Sequence, residues 1–91
     1  MSGRKRRWLT PEALRSGITE TEAWMSNGHT YMARLWFCAE TDDYVVTALV
    51  TKPGDDQFPT GTEVRTFSIH EARKKFLQAA RALRARSARG L

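Results

Sequence analysis

From Ser68 onward the chain follows one pattern strictly enough to exclude most alternatives. Ser68 and Glu71 form the S-x-x-E signature of a helix start, and Ile69, Ala72, Phe76, Ala80 and Leu83 recur at spacings of 3, 4, 4 and 3. That rhythm matches the 3.6-residue helical turn and puts the apolar side chains on one stripe. The spacing predicts a helix from Ile69 to about Arg86, with residues 87–91 fraying. A long helix with one apolar stripe must lie on something, and the preceding chain supplies a sheet.

Residues 29–39 (HTYMARLWFCA) and 44–51 (YVVTALVT) are rich in aromatic and β-branched residues and flank a turn at Glu40-Thr41-Asp42-Asp43. They predict two strands of a hairpin. Tyr31, Ala33, Leu35 and Phe37 alternate with Met32, Arg34, Trp36 and Cys38; Tyr44, Val46, Ala48 and Val50 alternate with Val45, Thr47, Leu49 and Thr51. Neither face is cleanly polar, which predicts cover on both, from the helices or from a second subunit. A polar loop follows over 52–61 (KPGDDQFPTG), then a third strand over 62–67 (TEVRTF). Upstream, Thr10 as N-cap, Pro11 at the first helical position and Gly17 as a left-handed stop predict a short helix over 11–16. Thr19 and Glu22, with Asn27-Gly28 as a stop, predict a second over 20–26. The expected fold is α+β: short N-terminal helices, a three-stranded antiparallel meander, and a long basic C-terminal helix packed on the sheet. It forms a single domain over 9–86, behind a flexible basic arm at 1–8.

Ninety-one residues suffice for one small core. The single cysteine, Cys38, excludes an internal disulfide framework, and no apolar run approaches the roughly 20 residues of a membrane span. Trp8-Leu9 runs directly into Thr-Pro-Glu, leaving no signal-peptide apolar region, so the expectation is a cytoplasmic chain with no membrane partner. His29 and His70 stand apart from any metal-ligand spacing. Cys38 falls in a strand as an apolar filler, and Asp42-Asp43 and Asp55-Asp56 are turn residues rather than converging acids. The expectation is therefore no enzyme, no metal and no cofactor.

Charge is sorted along the chain. Residues 1–15 carry a net +4, residues 16–63 a net −6 and residues 64–91 a net +7, within a formal total of +5. Such sorting points to a polyanion met by the basic ends. Of 15 basic residues 11 are arginine, which favours bidentate contacts, although a GC-rich genome yields the same bias. On the C-terminal helix, Arg73, Lys74, Arg81 and Arg84 form the denser flank of a basic solvent side, offset only by Glu71. Arg4, Lys5, Arg6 and Arg7, followed by Trp8, suit a phosphate backbone or a minor groove. Arg34 and Trp36, two apart on one strand, pair a cation with a base-stacking surface, while the same Trp equally suits a core or dimer interface. A helix-turn-helix over 9–26 is rejected because its second helix would present Glu20 and Glu22 to phosphates.

Over Tyr31–Leu83, strands followed by a helix opening at Ser68-Ile69-His70-Glu71 are similar in element order to single-stranded-DNA-binding coactivator domains, whose sheet grips unpaired DNA. The same order resembles the three-strand-plus-helix DNA-binding modules of integrase arms. Both resemblances rest on order alone and imply a sheet-and-helix fold with DNA as partner. Double-stranded-RNA domains differ: Thr62-Glu63 replaces their glycine-rich region, and the helix start is not basic.

Together these features lead to the expectation of a small non-enzymatic nucleic-acid-binding protein, DNA-binding in the first instance, with accessory or regulatory character. Its basic C-terminal helix and N-terminal arm would supply backbone-dominated contacts to DNA or RNA. The alternative is a protein-interaction or inhibitor module that docks on a larger protein or on a second copy of itself as a homodimer, with hot spots at Trp24, Trp36 or Phe58.

Overall fold

A computed structural model describes residues 6–52 and 60–89. The chain runs α1 (Pro11–Arg15), β1 (Glu20–Ser26), β2 (His29–Cys38), β3 (Asp43–Thr51), β4 (Thr60–Thr66) and α2 (Ile69–Ala88). The strands form a four-stranded antiparallel sheet in the order β1-β2-β3-β4, and α2 lies on one face of it. The fold is α+β, with one strand more and one helix fewer than the sequence suggests. Arg4, Lys5, the loop residues 53–59 with Phe58, and the last two residues lie outside the described residues.

Residues 20–26 are the correction. They form β1 rather than a second helix, paired from Glu20 opposite Leu35 to Ser26 opposite His29. Asn27 and Gly28 both have positive φ, 52° and 79°, as the tight turn of a two-residue hairpin requires. The expected capping pair never forms; the Thr19 hydroxyl instead lies 3.0 Å from that of Thr21. Three long-range partners explain the outcome. Glu20 and Glu22 face inward, where the Leu9 amide, Arg6 and Arg84 bind them. Carboxylates at core-facing positions hide the two-residue alternation that would have marked a strand.

The other elements follow their local signals. Thr10 accepts from the Ala13 amide at 3.1 Å and opens α1. Gly17, at φ 106°, closes it, with the Ile18 amide donating to Ala13 O and the Gly17 amide to Leu14 O. Ser68 caps α2 through the Glu71 amide at 3.2 Å, but its own amide donates to Thr66 Oγ1, so only half of the capping box forms. Ala72, Phe76, Ala80 and Leu83 are buried as the stripe demands, with Ile69 half-buried. They meet Tyr31, Ala33, Leu35, Tyr44, Val46 and Val50 from the sheet, and Leu14 from α1.

The segment before α1 is not free where it is described. Trp8 meets the Phe76 ring edge-on at 5.9 Å, and Arg6 lies between both rings, about 5 Å from each. The arm expected over 1–8 is thus tied to α2 from Arg6 onward.

Among the described residues the helices cover only one face of the sheet. Among the described residues no helix packs on the face bearing Met32, Arg34, Trp36, Val45, Leu49, Glu63 and Arg65. Neighbours on the sheet shield part of it: Val45, between Trp36 and Arg65 in register, is fully buried. Gly61 lies opposite Leu49, and a Cβ there would fall 2.4 Å from the Leu49 side chain and 2.7 Å from the Ala48 carbonyl oxygen. Gly61→Val should therefore displace Leu49 and part β4 from β3, lowering stability by roughly 1–3 kcal/mol in urea unfolding. An unchanged midpoint would show that the β3–β4 spacing is softer than this geometry.

Candidate nucleic-acid interface

A helix of 20 residues spans about 30 Å, so cations along α2 can meet an extended polyanion. What each can do depends on whether a carboxylate already holds it. Arg84 donates to Glu22 Oε1 at 3.1 Å and lies 4.1 Å over the Trp24 ring. Arg6 donates to Glu22 Oε2 at 2.7 Å and reaches Glu20. Glu22 thus draws together two expected phosphate contacts that are 78 residues apart in sequence. Arg73 donates to the Leu9 carbonyl at 3.1 Å beside Trp8, with its Nε buried and unpartnered among the described residues. Its position makes it a strut between α2 and the N-terminal segment.

The remaining helix cations are differently placed. Lys74, Arg81, Arg86 and Arg89 are exposed and Lys75 half-exposed, and none of these side chains forms a hydrogen bond or ion pair with a described residue. Lys74 and Arg81 are seven residues apart, hence about 10 Å along the axis and within about 20° around it. Lys75 and Arg86 border a groove between α2 and the β3–β4 pair, floored by Ala48, Thr62, Ala79 and Leu83. Arg7 is exposed near the start of the described chain.

Arg34 and Trp36 sit on the open face, directed away from α2. Arg34 donates to Met32 Sδ at 3.7 Å, and Trp36 is half-buried beside a cleft lined by Leu14, Gly17, Thr19 and Phe37. A strand of nucleic acid lying along α2 does not reach them. Of the ten residues expected to form a site, seven fall into three sets: Lys74 and Arg81 on an exposed helix flank, Arg6, Arg73 and Arg84 tied to the N-terminal segment and β1, and the open-face pair Arg34 and Trp36; Arg7 stands apart from them, and Arg4 and Lys5 lie outside the described residues. Sequence reasoning overlooked Glu22 as the organiser of the second set. Its spacing of two from Glu20 was the available signal, once residues 20–26 are read as a strand.

This arrangement predicts that Glu22→Gln strengthens binding of a polyanion, because it releases Arg6 and Arg84 together. Exposed ion pairs of this kind are worth about 0.2–1 kcal/mol, so the gain should reach up to about fivefold in a low-salt titration. Weaker binding by this variant would mean that Glu22 positions Arg84 rather than restraining it.

A smaller cluster lies at the β2–β3 turn. Arg65 donates to Asp43 Oδ1 at 3.1 Å, Glu63 Oε2 at 2.9 Å and Thr41 Oγ1 at 3.0 Å, clamping the turn to β4. Hydrogen bonds from Thr41, chiefly, and Arg65 hold the nearby Cys38 thiol below its ordinary value, although partial burial opposes them. The folded protein should then be alkylated by iodoacetamide at lower pH than the urea-unfolded chain, since the thiolate is the reactive form. Identical pH profiles would remove this role for Thr41. Among the described residues no group of three or more His, Cys, Asp and Glu side chains is placed to hold a metal ion, and no helix is long and apolar enough to cross a membrane. Compared with protein-family models, curated proteins and solved structures, the chain matches none, so its functional reading rests on its own residues.

Proposed function

We propose that this protein is a small non-enzymatic nucleic-acid-binding module whose α2 helix meets the phosphate backbone. One observation carries the reading. Lys74, Arg81, Arg86 and Arg89 stand exposed with no described carboxylate beside them, while Arg6, Arg65 and Arg84 are each held by one. Ordinary surfaces interleave the two signs, and a helix that keeps four cations unpaired favours an external anion.

Each phosphate neutralised on duplex DNA releases counterions and contributes about −0.9 to the slope of log affinity against log salt. Four contacts give a slope of about −3 to −4. The test is fluorescence anisotropy with labelled DNA and RNA across a salt series. Affinity that does not respond to salt would remove the helix as a phosphate-binding surface.

The open sheet face supports a second reading, docking of another protein. Met25 is 70% exposed there, and Met32, Trp36 and Leu49 on the same face are half-buried. That reading calls for a complex that survives nuclease and high salt and is lost on Trp36→Ala.

A further inference from the structure

Resting on the nucleic-acid reading, the geometry points to B-form duplex DNA as the partner, with the C-terminal half of α2 seated in the major groove. The unpaired cations do not form one stripe. Counting about 100° per residue, Lys74 and Arg81 form one row on the solvent side and Arg89, Lys75 and Arg86 a second, with Arg86 about 140° around the helix from Arg81. The ridge between the two rows carries Gln78 and Ala85, both neutral and exposed. The helix therefore presents a slim uncharged edge with positive charge on both sides.

That cross-section selects among nucleic acids. A helix with ordinary side chains is about 10–12 Å across. The B-DNA major groove is about 12 Å wide and admits it, whereas the minor groove of about 6 Å does not. Arg81 and Arg86, reaching outward on opposite sides, would then find phosphates on the two strands bordering the groove. A-form RNA has a narrow, deep major groove that excludes a helix. A single strand offers one row of phosphates and has no use for two cationic shoulders. The ridge offers little beyond Gln78 for hydrogen-bonding base edges, which implies recognition of groove shape and backbone with weak sequence preference.

The experiment compares one sequence as a 20-base-pair DNA duplex, an RNA duplex and a single DNA strand, with the full chain at two salt concentrations. DNA duplex should bind at least about tenfold more tightly than either competitor. Ala85→Trp adds bulk to the ridge without charge; it should weaken duplex binding about tenfold or more and leave single-strand binding within about twofold. Arg81→Gln and Arg86→Gln should each reduce the duplex salt slope by about 1. Circular dichroism confirms that each variant folds, and Ala85→Gln provides a milder ridge variant should Ala85→Trp not fold. Equal affinity for the three ligands, or duplex binding indifferent to ridge bulk, overturns groove insertion while leaving nucleic-acid binding in place. Failure to bind any of the three overturns both.

Discussion

Replacing Lys74, Arg81 and Arg86 together with glutamate is expected to weaken nucleic-acid binding by more than about 100-fold near 0.1 M salt. The variant removes three unpaired cations and sets three carboxylates in their place, so lost contacts and new repulsion act together. The residual slope of log affinity against log salt should fall below about 1, because each lost phosphate contact takes about 0.9 with it. The fold should tolerate the change. None of the three side chains forms a hydrogen bond or ion pair with a described residue, and surface substitutions away from such features usually shift stability by about 0.5 kcal/mol or less. The matched control is Arg73→Gln, which breaks the strut to Leu9 O and should affect stability more than affinity. If the triple variant binds as tightly as the parent while remaining folded, α2 is not the binding surface and the open face becomes the stronger candidate.

Phe76→Ala is expected to be the most damaging single substitution for stability. Phe76 is fully buried at the centre of the α2 stripe, with Trp8 against its ring and Arg6 about 5 Å away. Truncation removes its transfer energy and leaves a cavity that a thin two-layer core cannot close, at about 3–5 kcal/mol. A domain of this size has about 5–15 kcal/mol in total, so the melting temperature should drop by roughly 15–30 °C. The N-terminal segment should loosen as well, seen as a red-shifted Trp emission, because Trp8 loses its edge contact. Phe76→Leu should recover more than half of the loss by refilling most of the volume. A Phe76→Ala variant within 1 kcal/mol of the parent would show that the sheet–helix layer is not the main core.

Part of this architecture is written locally. The α2 stripe, the Ser68 and Thr10 caps, the Gly17 stop and the β2–β3 hairpin each depend on residues within a few positions of one another. Short-range steric and hydrogen-bonding rules decide such features wherever they occur. The 20–26 segment was less legible, because its inward positions hold Glu20, Glu22 and Trp24 rather than an apolar series. The Asn27-Gly28 turn was the better local guide: two successive positive-φ positions fit a hairpin, whereas as a helix stop they explain only one end.

The candidate site divides the same way. Charge sorting and helical spacing placed cations around the solvent side of α2, since both follow from sequence order alone. Which of those cations remain free is a different matter. Arg84 meets Glu22 across 62 positions, Arg6 meets it across 16, and Arg73 meets Leu9 across 64. An ion pair depends on distance in space, which no spacing in the chain reveals. Local order suffices for a basic amphipathic helix on an antiparallel sheet; packing in three dimensions makes 20–26 a strand, leaves one sheet face without a described helix, and separates the bound arginines from the cations that have no described partner, because Glu20 and Glu22 meet Arg6, Leu9 and Arg84 only once distant segments share one face.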